Sequence, residues 1–150
     1  MFEIGCSMQL TQHFTLEELT FSQTAARLGL DNTPTAEVLR ALKYTAIGME
    51  EVRSALNSNA ILVSSGLRMP VVNSATPGSS KSSQHMKGEA VDFTCPTYGS
   101  PATIVRRLVN SDVQYDQLIC EYDRWVHISF SRSPRKQVLI IDSKGTRLWT

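Results

Sequence analysis

His85, Asp92 and His127 offer the imidazole nitrogens and carboxylate oxygen that a divalent metal takes as ligands. His85 lies in SSQHMKGEAVDFTC, Ser82 to Cys95, beside a glycine turn, and Asp92 follows in an apolar, strand-like run. A buried aspartate costs several kcal/mol unless it is paired, hydrogen-bonded or bound to a metal. A catalytic zinc site needs three protein ligands at roughly 2.0–2.2 Å and leaves the fourth position to water. Such an ion lowers the pKa of bound water to about 7 and polarises a carbonyl, so amide hydrolysis follows once a carboxylate base stands nearby. Glu121 and Asp123, in the segment leading to His127, are the available carboxylates.

Spacing alone leaves two readings open. There is no H-E-x-x-H, so the helical zinc-protease arrangement is absent. The same residues also suit a core histidine in a hairpin and an aspartate capping a loop. Cys6, Cys95 and Cys120 are odd in number and contain no C-x-x-C pair, which argues against a disulfide framework and a four-thiolate zinc site and predicts buried, reduced thiols. Cys95 is also unsuitable as a fourth ligand, because period 2 along the strand points it away from the face of Asp92.

The elements that must position these residues are legible from their periodicity. Thr15 and Glu18 have capping-box spacing, and Gly29 is a stop, so two short helices are expected over residues 16 to 28. Val38, Leu39, Leu42, Ala46, Met49, Val52 and Leu56 recur at helical period and predict the main amphipathic helix. AILVSSG, EAVDFTC, YDQLICEY, WVHISFS and QVLIIDS are short runs with strand character, and Ser100-Pro101 opens a helix through ATIVRRLVN. Helices first and strands later reads as α+β. YDQLICEYDRWVHISFS is expected to be a hairpin turning at Tyr122 to Arg124, with Trp125, His127 and Ser129 on one face. Ala90 and Asp92 share a face of the preceding strand.

A chain of 150 residues fits one domain with a sizeable core. With 19% charged residues and a formal net charge of +1, bulk electrostatics predicts neither nucleic acid nor membrane as partner. The opening MFEIGCSMQLTQ lacks a positive n-region and a long apolar core, and no later segment approaches about 20 apolar residues. Synthesis in the cytoplasm without a signal peptide is expected.

SSGLRMPVVNSATPGSSKSSQHMKGEAVDF, followed by QLICEYDRWVHISFS, closely resembles the zinc peptidases that include D-alanyl-D-alanine carboxypeptidases, vancomycin-resistance dipeptidases and phage endolysin endopeptidases. Their signature is S-x-H-x-x-G-x-A-x-D followed by a W-x-H strand. Ser83, His85, Gly88, Ala90 and Asp92 match its first part, and Trp125 with His127 its second. HFTLEELTFSQTAARLGLDNTP, through the long helix to SGLR, resembles the compact phage-type and carboxypeptidase C-terminal members, leaving only residues 131 to 150 weakly covered. The resemblance implies a hedgehog/D-Ala-D-Ala-peptidase-like α+β fold with a central antiparallel sheet and N-terminal helices. It implies one Zn2+ per chain, held by His85, Asp92 and His127, and the peptide of bacterial peptidoglycan as substrate.

The sequence departs from the family at one position. Several relatives carry the catalytic acid three residues before the second zinc histidine, where this chain has Arg124, which cannot act as a base. Glu121 resembles the glutamate that phage-type relatives carry before a short turn and W-V-H, and it is preferred to Asp123, whose turn position suits a solvated Asx-turn. Arg68 resembles the family arginine that holds the substrate carbonyl or carboxylate and stabilises oxyanion charge. Ser83 and Gln84, before the first ligand, are expected to bind substrate, with a turn-stabilising role for Ser83 as the alternative. His13 reads as an N-terminal structural or exposed residue and Trp125 as a packing or cleft-wall residue.

The expectation is a single catalytic domain over residues 1–150, a monomer that hydrolyses an amide bond in the wall stem peptide or cross-link as a phage endolysin released from its host. A D-alanyl-D-alanine carboxypeptidase is the nearer alternative. A non-catalytic domain that binds zinc or wall peptide is the more distant one, supported by Arg124.

Overall fold

The computed structural model describes residues 8–150; Cys6 lies outside them. Two short helices open the fold, α1 (Leu16–Thr20) and α2 (Gln23–Leu28). Thr15 and Glu18 form the expected reciprocal capping box, and α2 ends on Gly29 at φ 65°. The long helix α3 (Ala36–Ala55) starts at the Thr35 cap and buries Leu42, Ala46, Met49 and Val52, spaced three or four residues apart. A strand β1 (Leu62–Ser65), a short helix α4 (Pro70–Ala75) and a 3₁₀ turn (Gln84–Lys87) lead to β2 (Ala90–Thr94) and helix α5 (Pro101–Val109). Four strands complete the chain: β3 (Gln117–Glu121), β4 (Trp125–Ser129), β5 (Gln137–Asp142) and β6 (Gly145–Leu148).

These strands make one six-stranded sheet in the order β1-β2-β4-β3-β5-β6. Among the described residues the central pairs are antiparallel, as expected, and the one parallel pair is β3 with β5. The cause is topological. One edge of β4 holds β3 and the other holds β2, so the chain leaving β4 finds its free edge on β3. Residues 130–136 cross the starting end of β3, where Gln137 N–H donates to the Asp116 carbonyl, and β5 then runs in the same direction as β3.

The hairpin turns as anticipated, without glycine: Tyr122 and Asp123 both adopt positive φ, 54° and 49°. This is the type I′ pattern whose twist matches the flanking strands. Period 2 then sorts the sheet into two faces. Val91, Phe93, Leu118, Cys120, Val126 and Ile128 belong to the hydrophobic cluster that also takes in Leu42 and Met49 of α3 and Ile104 and Leu108 of α5. Each fully buried side chain of this kind contributes about 1.5–3 kcal/mol. Asp92, Glu121, Trp125 and His127 alternate onto the other face. Cys95 belongs to the core cluster, as its strand parity required, and both Cys95 and Cys120 are free and buried. Among the described residues, no helix is long and apolar enough to cross a membrane.

Candidate metal centre

Strand register makes the first half of the site. Asp92 on β2 stands opposite His127 on β4, and the Asp92 Oδ1 lies 3.0 Å from His127 Nδ1. The second half comes from the 3₁₀ turn, which brings His85 Nε2 to 3.3 Å from Asp92 Oδ2. Gly88 closes that turn at φ 74°, a conformation that suits glycine. Its carbonyl accepts a 2.7 Å hydrogen bond from the buried Thr45 hydroxyl, which docks the turn on α3.

One donor atom from each of His85, Asp92 and His127 lies within 4.8 Å of the others. A tetrahedral ion at roughly 2.0–2.2 Å from each ligand needs them about 3.4 Å apart, so the cluster suits zinc after a small adjustment. The tautomer fits as well. His85 Nδ1 lies 2.7 Å from the Gly66 carbonyl oxygen, which can only accept, so Nδ1 carries a hydrogen and Nε2, turned toward Asp92, is the nitrogen left to bind a metal. Burial alone raises the Asp92 pKa, but the adjacent His85 and His127 outweigh it and hold the carboxyl well below the usual range, in the ionised form a metal requires.

The cluster opens into a cleft of about 520 Å³ whose walls include Arg68, Gln84, Glu121, Trp125 and Arg135. Arg68 follows β1, and its backbone N–H donates to the His85 carbonyl at 3.0 Å. Its guanidinium is held by Asn73 Oδ1 at 3.2 Å and by the Ser65 and Ser83 hydroxyls at 3.4 Å each. Burial pulls the Arg68 pKa down, opposed by the charges of Asp92 and Glu121. Glu121 ends β3 across from Trp125. Its carboxyl is pushed above the ordinary value, first by burial and then by Asp92, with His127 and Arg68 pulling the other way.

The structure thus brings His85, Asp92, His127, Arg68, Ser83, Gln84 and Glu121 to one cleft. Asp123 is not among them. Its Oδ1 accepts the Ala102 N–H at the start of α5, and it borders a separate hollow of about 710 Å³ beside the hairpin turn. Arg124 borders the same hollow. Ser83 caps the 3₁₀ turn by accepting the His85 N–H, and its hydroxyl also accepts from Arg68 Nη2. His13 is partly exposed and paired with Glu50 at 2.7 Å, away from the cleft.

Sequence reading missed three residues around the site. Asn73 is buried on α4 and orients Arg68. Asp116 and Arg135 form an ion pair at 2.8 Å that borders the cleft through Arg135. Asn73 lies five residues from Arg68 and Asp116 lies 19 from Arg135, and nothing in their immediate neighbours marks them.

A donor triad able to hold a metal ion thus stands on the open face of an α+β sheet, in one cleft with an arginine and a glutamate. Residues 12–129 match the family model described as Peptidase M15, and the chain belongs to this peptidase family. No curated protein matches the chain.

Proposed function

We propose that this chain is a zinc-dependent peptidoglycan peptidase, an endolysin-type endopeptidase that hydrolyses an amide bond in the wall stem peptide or cross-link. The observation that carries this reading is the shared cleft: the His85, Asp92 and His127 donors lie in it with Glu121 and Arg68 on its walls. A zinc ion held by those three residues supplies Lewis acidity, which polarises a carbonyl and makes water a nucleophile near neutral pH.

The protein's own groups account for the rest. Glu121 takes the proton from the attacking water and delivers it to the leaving amine, a role that suits a carboxyl whose proton affinity is raised by its surroundings. Arg68, fixed by three hydrogen-bonding partners, presents its guanidinium to the oxygen on which negative charge develops. Ser83 and Gln84 line the approach and contact the peptide. Residues 1–150 act as one catalytic domain, as a monomer with the wall peptide and neither nucleic acid nor membrane as partner. The chain is made in the host cytoplasm and reaches the wall after release.

The test is digestion of purified peptidoglycan by native, chelated and zinc-restored protein, with products identified by mass spectrometry. Metal-dependent release of internal stem or cross-link fragments supports the endopeptidase. D-alanine as the only product supports a carboxypeptidase instead. No release from any wall type, with one zinc bound per chain, leaves a binding domain.

A further inference from the structure

Asp116 is a buried charge that the proposed reaction does not use. It is 3% exposed, immediately before β3, and its carboxylate is saturated with donors. Arg135 gives it a backbone N–H at 2.8 Å, Nε at 3.0 Å and Nη2 at 2.8 Å, and Gln84 adds Nε2 at 3.0 Å. A two-point guanidinium fork with a backbone bond beside it fixes the plane of the Arg135 head group. Yet the Arg135 side chain is 55% exposed and stands on the cleft wall. Among the described residues its Nη1 makes no hydrogen bond, so its outward edge presents free donors to the cleft. Gln84 gives its Nε2 hydrogens to Asp116 and Glu89, which leaves its carbonyl oxygen as an acceptor next to those donors.

The sheet register gives the spacing along the sheet between Asp116, which anchors Arg135, and the level of the metal donors. Ile119 of β3 stands opposite His127, and Asp116 lies three residues earlier, with its N–H still bonded to the Ser129 carbonyl of β4. At about 3.4 Å per residue that is roughly 10 Å along the sheet. Glu121 and Trp125 lie in the opposite direction from the same level. An extended peptide advances at most about 3.3–3.6 Å per residue, so the same span corresponds to about three of its residues.

We infer that Arg135, held by Asp116 and flanked by Gln84, is a subsite for a substrate carboxylate about three residues from the bond that is cut. The substrate is then an extended acidic peptide, and a terminal dipeptide is too short to reach it. This inference rests on the peptidase reading above.

The test uses synthetic cross-linked wall peptides in which each free carboxylate is replaced in turn by a carboxamide. Zinc-loaded native protein, Arg135→Gln and Arg135→Lys are compared by kcat/KM, with zinc content and melting temperature recorded for each. In the native protein, amidating the carboxylate about three residues from the cleaved bond lowers kcat/KM roughly five- to tenfold. Arg135→Gln brings that ratio close to one and Arg135→Lys restores part of it; where Arg135→Gln does not fold, Arg135→Lys carries the comparison through a reduced ratio. Native indifference to every amidation overturns the inference, as does a variant that slows all peptides alike and keeps the preference. If the native protein cleaves none of the peptides, the peptidase reading fails, and calorimetric titration of the same peptides decides the subsite separately. A carboxylate preference in affinity that Arg135→Gln abolishes retains it, and equal affinities end it.

Discussion

His85 and Gly66 are joined by a 2.7 Å hydrogen bond from the imidazole Nδ1 to the backbone carbonyl, and this bond fixes which nitrogen faces Asp92. Gly66 is suited to the position because a Cβ there collides with the Leu19 carbonyl. Gly66→Ala therefore shifts the segment that orients His85. We expect zinc affinity to fall by about 10- to 100-fold, the usual cost of losing a group that orients a ligand, together with a lower melting temperature. Calorimetric titration with zinc checks this, and an unchanged affinity separates Gly66 from the site.

Glu121 and Asp123 are two residues apart, yet the turn between the strands sends them to different places. Glu121→Gln keeps the shape of the side chain and removes the base, so turnover on peptidoglycan is expected to drop by about 10²–10⁴-fold with one zinc still bound. Asp123→Asn weakens the acceptor for the Ala102 N–H at the start of α5, costs about 1 kcal/mol or less, and leaves turnover within a few-fold. The reverse pattern moves the base to Asp123.

How much of this was legible in the sequence follows from how local each determinant is. The capping box at Thr15, the period of α3 and the parity of Asp92 and His127 depend on neighbours within a few residues, and all three appear as read. The parallel placement of β5 depends on which strand edges are already occupied, which no local pattern records. β6 is short and fully exposed, so it carries no apolar alternation to detect. The donor triad was legible because the family spacing is distinctive, whereas Asp116 acts through partners that only the folded chain brings near. Asp116 meets Arg135 and Gln84 from 19 and 32 residues away.

Arg68 works through geometry as much as charge. Asn73 and two serine hydroxyls hold its fork, and a lysine cannot reproduce these contacts. Arg68→Lys is expected to lower kcat by about 10²–10³-fold, the range for losing one oxyanion donor. Asn73→Ala leaves the guanidinium in place but unsteadied and is expected to lower kcat by a smaller factor with KM less affected. Steady-state kinetics of both variants on one wall peptide checks the order, and an Asn73→Ala effect confined to KM assigns Asn73 to peptide binding.

Acid should remove the contribution of the Asp116 pair only below about pH 4. The hydrogen bonds from Arg135, opposed by burial, hold the Asp116 carboxyl down to about 2 from its ordinary 3.8. A carboxyl whose folded pKa is depressed stabilises the fold fully above its unfolded pKa and loses that contribution as pH falls toward the folded value. Asp116→Asn removes this contribution and one acceptor charge from Arg135, so the urea midpoint should fall at pH 7. The gap between native protein and variant should then narrow between pH 4 and about 2, as native Asp116 takes up its proton. Urea unfolding at pH 7, 4, 3 and 2 measures the gap directly. A gap that stays constant across that range means that Asp116 stabilises the fold by packing and neutral hydrogen bonds alone, with no contribution from its charge.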